Sequence, residues 1–147
     1  MISIQQQDFD VGAEYNALAG QDTRSGAVVT FVGRVRDLNL TREVLGLQVE
    51  HYPGMTEKSL QAIVDEACAR WPINRHKIIH RIGDLHLGDN IVFVGVASAH
   101  REDAFAAVEF LMDYLKTRAP FWKKELTTEG NHWIDAQEKD AKAATRW

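Results

Sequence analysis

Four cations, Lys116, Arg118, Lys123 and Lys124, stand within nine residues, interleaved with Tyr114, Phe121 and Trp122 and interrupted by Pro120. Clustered ammonium and guanidinium groups with aromatic neighbours suit an anion on a flat or apolar body. Lysine, unlike arginine, can also lose its proton near neutral pH when burial or nearby cations lower its pKa. Lys116 has such neighbours in Arg118 and Lys123, with Tyr114, Phe121 and Trp122 able to exclude water. Arg34 and Arg36 form a second cationic pair, in the run Gly33-Arg34-Val35-Arg36, where two guanidinium groups on one face could grip an anion bidentately. His100 and Arg101 form a third, just before Glu102 and Asp103; a helix start with an adjacent arginine attracts anions. Each group also has a plainer explanation: a solvated helix end, a sheet edge kept soluble by charge, a helix start already answered by its own acids. His51, His76, His80 and His86 lack metal-ligand spacing, and Cys68 is the only cysteine. No metal site, cofactor or internal disulfide is therefore expected.

The elements that would position these groups follow from periodicity. Ala104, Phe105, Val108, Leu111, Met112 and Leu115 make the apolar stripe of a long helix opened by His100 and Arg101. Lys116 falls in its last turn, where the helix dipole favours cations. Pro120 cannot continue the helix, so Lys123 and Lys124 leave on an extended segment. That sharp exit can aim Lys116 and Lys123 into one space. Gly26 to Arg36 reads as a strand, with Thr30, Arg34 and Arg36 on one face and Val29, Phe31 and Val35 on the other. Gly33 within it signals a bulge or a close backbone approach. Ile91 to Val96 is nearly continuous apolar sequence, the mark of a central strand. Ile2 and Ile4 fit an edge strand, and Asp10 caps a short helix over Val11 to Leu18. Asp37 to Glu43 reads as a loop, Val44 to Tyr52 as a strand and Pro53-Gly54 as a turn, with Thr56 as a cap. Leu60, Ile63, Val64, Ala67 and Trp71 follow helical spacing up to Pro72, with Cys68 beside them as a small buried hydrophobe. Lys77 to Ile82 is a short strand, Gly83 to Asp89 a turn or small loop, and His132 to Ile134 a short strand. Asp135 to Trp147 is a polar helix ending in an aromatic anchor.

The 147 residues suit a single domain over 1–147 with a core of its own. A net charge of −4 argues against non-specific nucleic-acid binding, so an anion site must be a local cluster on an acidic body. No apolar run approaches a membrane span, and the N-terminus lacks the basic and apolar regions of a signal peptide. A cytoplasmic location is expected, without a membrane or nucleic-acid partner.

Gly33-Arg34-Val35-Arg36, His51-Tyr52-Pro53-Gly54-Met55, His80-Arg81-Ile82-Gly83, Ser98-Ala99-His100-Arg101 and the run Tyr114 to Glu125 occur in one order. Together they resemble the large, catalytic subunit family of molybdopterin synthase over nearly the whole chain. The resemblance implies an α+β fold of the alpha/beta-hammerhead type with an additional β-rich subdomain. It implies a sulfurtransferase: sulfur passes from the C-terminal Gly-Gly thiocarboxylate of a small ubiquitin-like subunit to cyclic pyranopterin monophosphate, forming the molybdopterin dithiolene of molybdenum cofactor biosynthesis. It implies a homodimer that binds one small subunit at each end, a heterotetramer, with active sites that borrow residues across the dimer. Carried onto this sequence, it makes Lys116 and Lys123 the catalytic pair. Arg34, Val35, Arg36, His100, Arg101, Lys116, Lys123, Lys124 and Glu125 become the substrate-binding residues. No pattern carries over for the loop from Asp37 to Glu43. Because the partner supplies the sulfur, a chain without a useful cysteine is compatible with this chemistry. A docking module for a ubiquitin-like protein and a phosphate-binding regulatory protein are the rival readings.

Overall fold

The computed structural model describes residues 1–39, 42–134 and 138–147. In chain order the elements are β1 (Ile2–Gln5), α1 (Val11–Ala19), β2 (Ala27–Arg34), β3 (Leu38–Asn39), β4 (Arg42–His51), α2 (Met55–Arg70) and β5 (Ile73–Arg81). They continue with β6 (Gly83–His86), β7 (Asn90–Ser98), α3 (Arg101–Arg118), β8 (Phe121–Thr127), β9 (Gly130–Trp133) and α4 (Glu138–Ala144). The fold is α+β, with two sheets. One has the order β1-β5-β7-β2; the other runs β3-β4-β8-β9, with β6 also paired to β4.

The apolar run of β7 is central, as its composition predicts. It pairs antiparallel with β5 and with β2, and both its faces are covered. Val92, Val94 and Val96 share the main core with Leu60, Ile63 and Val64 of α2 and with Val108, Leu111 and Leu115 of α3. On the opposite face Phe93 meets Phe9 edge-on at 5.8 Å. Gly95 lies there too: a Cβ on it would stand 2.6 Å from Leu18 of α1, so the glycine lets that helix seat against the strand. The bulge expected at Gly33 is present between Gly33 and Arg34, and a Cβ on Gly33 would press Val92 at 2.8 Å. A second, smaller core holds Val35, Leu47, Val49 and Leu85; Ile91 and Phe121 adjoin both cores.

Several local expectations give way to tertiary pairing. Asp37 to Glu43 is not a plain loop: β3 and β4 pair antiparallel with Leu38 opposite Glu43, and residues 40 and 41 lie outside the described residues. Gly83 to His86 forms β6, because β4 offers it a ladder and Leu85 buries beneath it, 2% exposed. The last strand lies earlier than His132 to Ile134, at Gly130–Trp133, paired along β8. Thr56 does not cap α2. Gly54 is the N-cap, its N–H bound by the Glu57 carboxylate, and the Thr56 hydroxyl turns inward. Cys68 is exposed rather than buried. Phe105 is 57% exposed, and the buried stripe of α3 instead includes Ala107, Phe110 and Tyr114. The start of the expected C-terminal helix, residues 135–137, lies outside the described residues; α4 covers Glu138–Ala144. Trp147 is an anchor on the body, with its ring edge-on to Trp71 and Phe110. Among the described residues no helix is long and apolar enough to cross a membrane.

Candidate active site at the exit of α3

The helix α3 delivers Lys116 in its last turn and stops at Ala119, whose backbone is extended before Pro120. β8 begins at once with Phe121, and its pairing with β4 sets His51 opposite Phe121 and Val49 opposite Lys123. Lys116 and Lys123 do converge. Burial, and next the charge of Lys116, hold the Lys123 amine down at about 8, with Asp140 acting against them. Asp140 of α4 stands 3.9 Å from the Lys116 amine. Lys116 is exposed while Lys123 is half-buried, so one amine faces outward and the other lies deeper.

The floor behind Lys123 is built by groups that sequence patterning did not single out for function. His80 of β5 is 1% exposed and stacks on Phe121, with ring centroids 3.8 Å apart and planes 14° apart. Its Nδ1 lies 2.8 Å from the Arg81 carbonyl, which can only accept, so Nδ1 carries the proton. Burial first, and Lys123 second, push the His80 imidazole down to about 3, so the ring is neutral. Thr56 is wholly buried; its hydroxyl donates to the Pro120 carbonyl at 3.0 Å and accepts from the Tyr52 N–H at 2.9 Å. A histidine within the apolar half of a strand was a visible signal for the first. Nothing in the sequence marks Asp140, which reaches the lysines only through the packing of α4 on α3.

The other sequence-derived residues divide between two ends of the chain. β7 runs up to His100 and α3 returns along β7 and β2, so the far end of β2 shares the Lys116 end of the molecule. Arg34 is there, its guanidinium donating to the Gly88 carbonyl at 2.9 and 3.2 Å. Val35 is buried in the smaller core, and Arg36 is exposed just beyond. Lys124 lies over the Trp133 ring, 4.7 Å from its centre, and Glu125 is buried, opposite Leu47 and His132. His100 and Arg101 are exposed at the other end of α3. Fifteen helical steps from Arg101 to Lys116 span about 22 Å. One chain therefore does not bring His100 and Arg101 to its own two lysines. Among the described residues no group of three His, Cys, Asp or Glu side chains is arranged to hold a metal.

Comparison with known proteins identifies the family. The family model described as MoaE protein matches residues 4–118. The molybdopterin synthase catalytic subunit of Vibrio cholerae is 64% identical over 146 residues, covering 99% of this chain and 97% of that protein. The molybdopterin biosynthesis MoaE protein from Burkholderia ambifaria superposes with a TM-score of 0.85 at 51% identity, covering 100% of this chain and 97% of that one. The crystal structure of molybdopterin synthase from Staphylococcus aureus has a TM-score of 0.83 at 34% identity, over 90% of this chain and 96% of that one. The chain belongs to the MoaE protein family.

Proposed function

We propose that this chain is the catalytic subunit of a molybdopterin synthase, a sulfurtransferase of molybdenum cofactor biosynthesis. It accepts sulfur from the thiocarboxylated C-terminal glycine of a small ubiquitin-like subunit and directs it onto cyclic pyranopterin monophosphate, forming the dithiolene. The observation that carries this reading is the convergence of Lys116 and Lys123, with the Lys123 amine held near 8 by burial and by Lys116. An amine in that range can give and take protons near neutral pH, and a second lysine beside it is free to meet the incoming group. Lys116, the exposed member, reaches the incoming thiocarboxylate or bonds transiently to its carbonyl; Lys123 moves the proton and steadies the developing oxyanion. Arg36 holds the anionic cyclic phosphate, with Arg34, Val35, Lys124 and Glu125 shaping the remainder of the substrate site.

His100 and Arg101 complete the site from a second copy of the chain. The length of α3 supports this, since it holds them about 22 Å from Lys116 of their own chain. The working unit is a homodimer of single-domain 1–147 chains, with one small subunit at each end, in the cytoplasm. Incubation of purified protein with thiocarboxylated small subunit and cyclic pyranopterin monophosphate tests the function, read as dithiolene product. Lys116→Arg should fold and bind the small subunit yet lose most single-turnover product formation, and Lys116→Ala should be about equally inactive. Near wild-type turnover by Lys116→Arg would remove Lys116 from proton transfer and bonding and leave it a fixed charge.

A further inference from the structure

The two lysines belong to different elements, α3 and β8, joined only by Ala119 and Pro120. Their separation depends on what holds that connection. Two buried side chains from elsewhere in the sequence grip it. From α2, the wholly buried Thr56 hydroxyl bonds the Pro120 carbonyl while receiving the Tyr52 N–H at the end of β4. From β5, the buried His80 ring lies flat on Phe121, which adjoins both hydrophobic cores. A threonine can satisfy both backbone groups with one hydroxyl, one bond donated and one accepted. Valine in its place would take the hydroxyl partner from both the Pro120 carbonyl and the Tyr52 N–H. The imidazole is fixed as a neutral, Nδ1-protonated ring and does not reach solvent, so it acts on the site through Phe121.

We propose that Thr56 and His80 are positioning residues that clamp Pro120 and Phe121 and so set Lys123 beside Lys116. The clamp rests on the reading of Lys123 as a working amine. Its physical consequence can be measured without substrate. Among the described residues the groups facing Lys123 are Lys116 on α3 and Asp140 on α4, with His80 on β5 beside it and His51 on β4 next to His80. Of these, Lys116 and burial push its amine down, and Asp140 pushes it up. Loosening the clamp lets water in and separates the lysines, and both changes move Lys123 towards an ordinary lysine.

The experiment is an NMR titration of 13C-methylated lysines, with Lys123 identified by its absence in Lys123→Arg. Thr56→Val and His80→Leu should raise the Lys123 midpoint by about one pH unit or more. Thr56→Ser, which keeps the hydroxyl, and His80→Phe, which keeps a stacked ring, should restore it. In dithiolene formation the two disruptive variants should lose about tenfold in kcat with KM for the cyclic pyranopterin changed less than about twofold, because orientation rather than binding is lost. Unmoved Lys123 midpoints in folded Thr56→Val and His80→Leu would overturn the clamp. So would equal shifts in the disruptive and conservative members of each pair, which would mark general loosening. If Thr56→Val does not fold, the His80 pair decides by the same criteria. A wild-type protein that forms no dithiolene would defeat the proposed function, and the titration would still decide the clamp.

Discussion

At the scale of single residues, the site is organised by the difference between two lysines seven positions apart. Lys123 is the one held down to about 8, and that costs stability. A folded-state pKa below the ordinary lysine value means that the folded chain disfavours the ammonium form. The unfolded chain binds more protons between about pH 8 and 10.5, so wild-type stability rises with pH across that window. Lys123→Met should therefore abolish product formation and stabilise the fold at pH 7, on the order of 1–3 kcal/mol. The gain should shrink as pH rises from 8 towards 10.5. Denaturant melts of both proteins at pH 7 and pH 10 check this; a destabilised Lys123→Met at pH 7 would show that the amine makes net favourable contacts in the folded chain.

At the scale of elements, the seating of α4 decides whether Asp140 stands beside Lys116. The helix is short, only 7 residues of alanine and charged side chains, so intrinsic propensity cannot hold it. Its anchor is the end of the chain. Trp147 packs edge-on to Trp71 and Phe110, its indole N–H donates to Asp113 at 2.6 Å, and Arg70 donates to its carbonyl at 2.8 Å. Arg146 also donates to Asp113, at 2.9 Å. Trp147→Ala should cost about 1–3 kcal/mol. The amides of Glu138–Ala144 should lose hydrogen-exchange protection ahead of those in α3. With Asp140 released, the Lys123 midpoint should fall further, since Asp140 is the group that raises it. Retained protection in α4 would show that the helix is held by other contacts.

At the scale of the molecule, the proposed site needs two chains. A chain carrying His100→Ala keeps its lysines, and a chain carrying Lys116→Ala keeps its His100. Each alone should be inactive. Mixed by co-expression, a hetero-pair would rebuild one intact site of two, and random pairing would make half the dimers mixed. About a quarter of wild-type turnover should return. No recovery, with mixed dimers demonstrated, would place His100 in the same chain's site. Sedimentation at micromolar concentration should show a dimer, and addition of the small subunit a species with two of each chain.

Much of this was legible in the order of residues. The central strand, the long helix, the proline exit, the bulge at Gly33 and the opposed Lys116 and Lys123 all follow from rules that act within a few residues: side-chain period, missing donors, and dipole at helix ends. What was not legible depends on partners distant in sequence. β6 has one buried apolar residue, Leu85, and becomes a strand only because β4 lies alongside it. Thr56 looks like a cap from its neighbours, yet its hydroxyl bonds Pro120, sixty-four residues away. His80 is one histidine among six in the sequence until Phe121 is laid across it. The residue types and their local spacing determined which groups could do chemistry and which elements carry them. Tertiary structure alone decided which lysine loses its ordinary affinity for a proton, because desolvation and the charge of a neighbour depend on distances in space that local spacing does not contain.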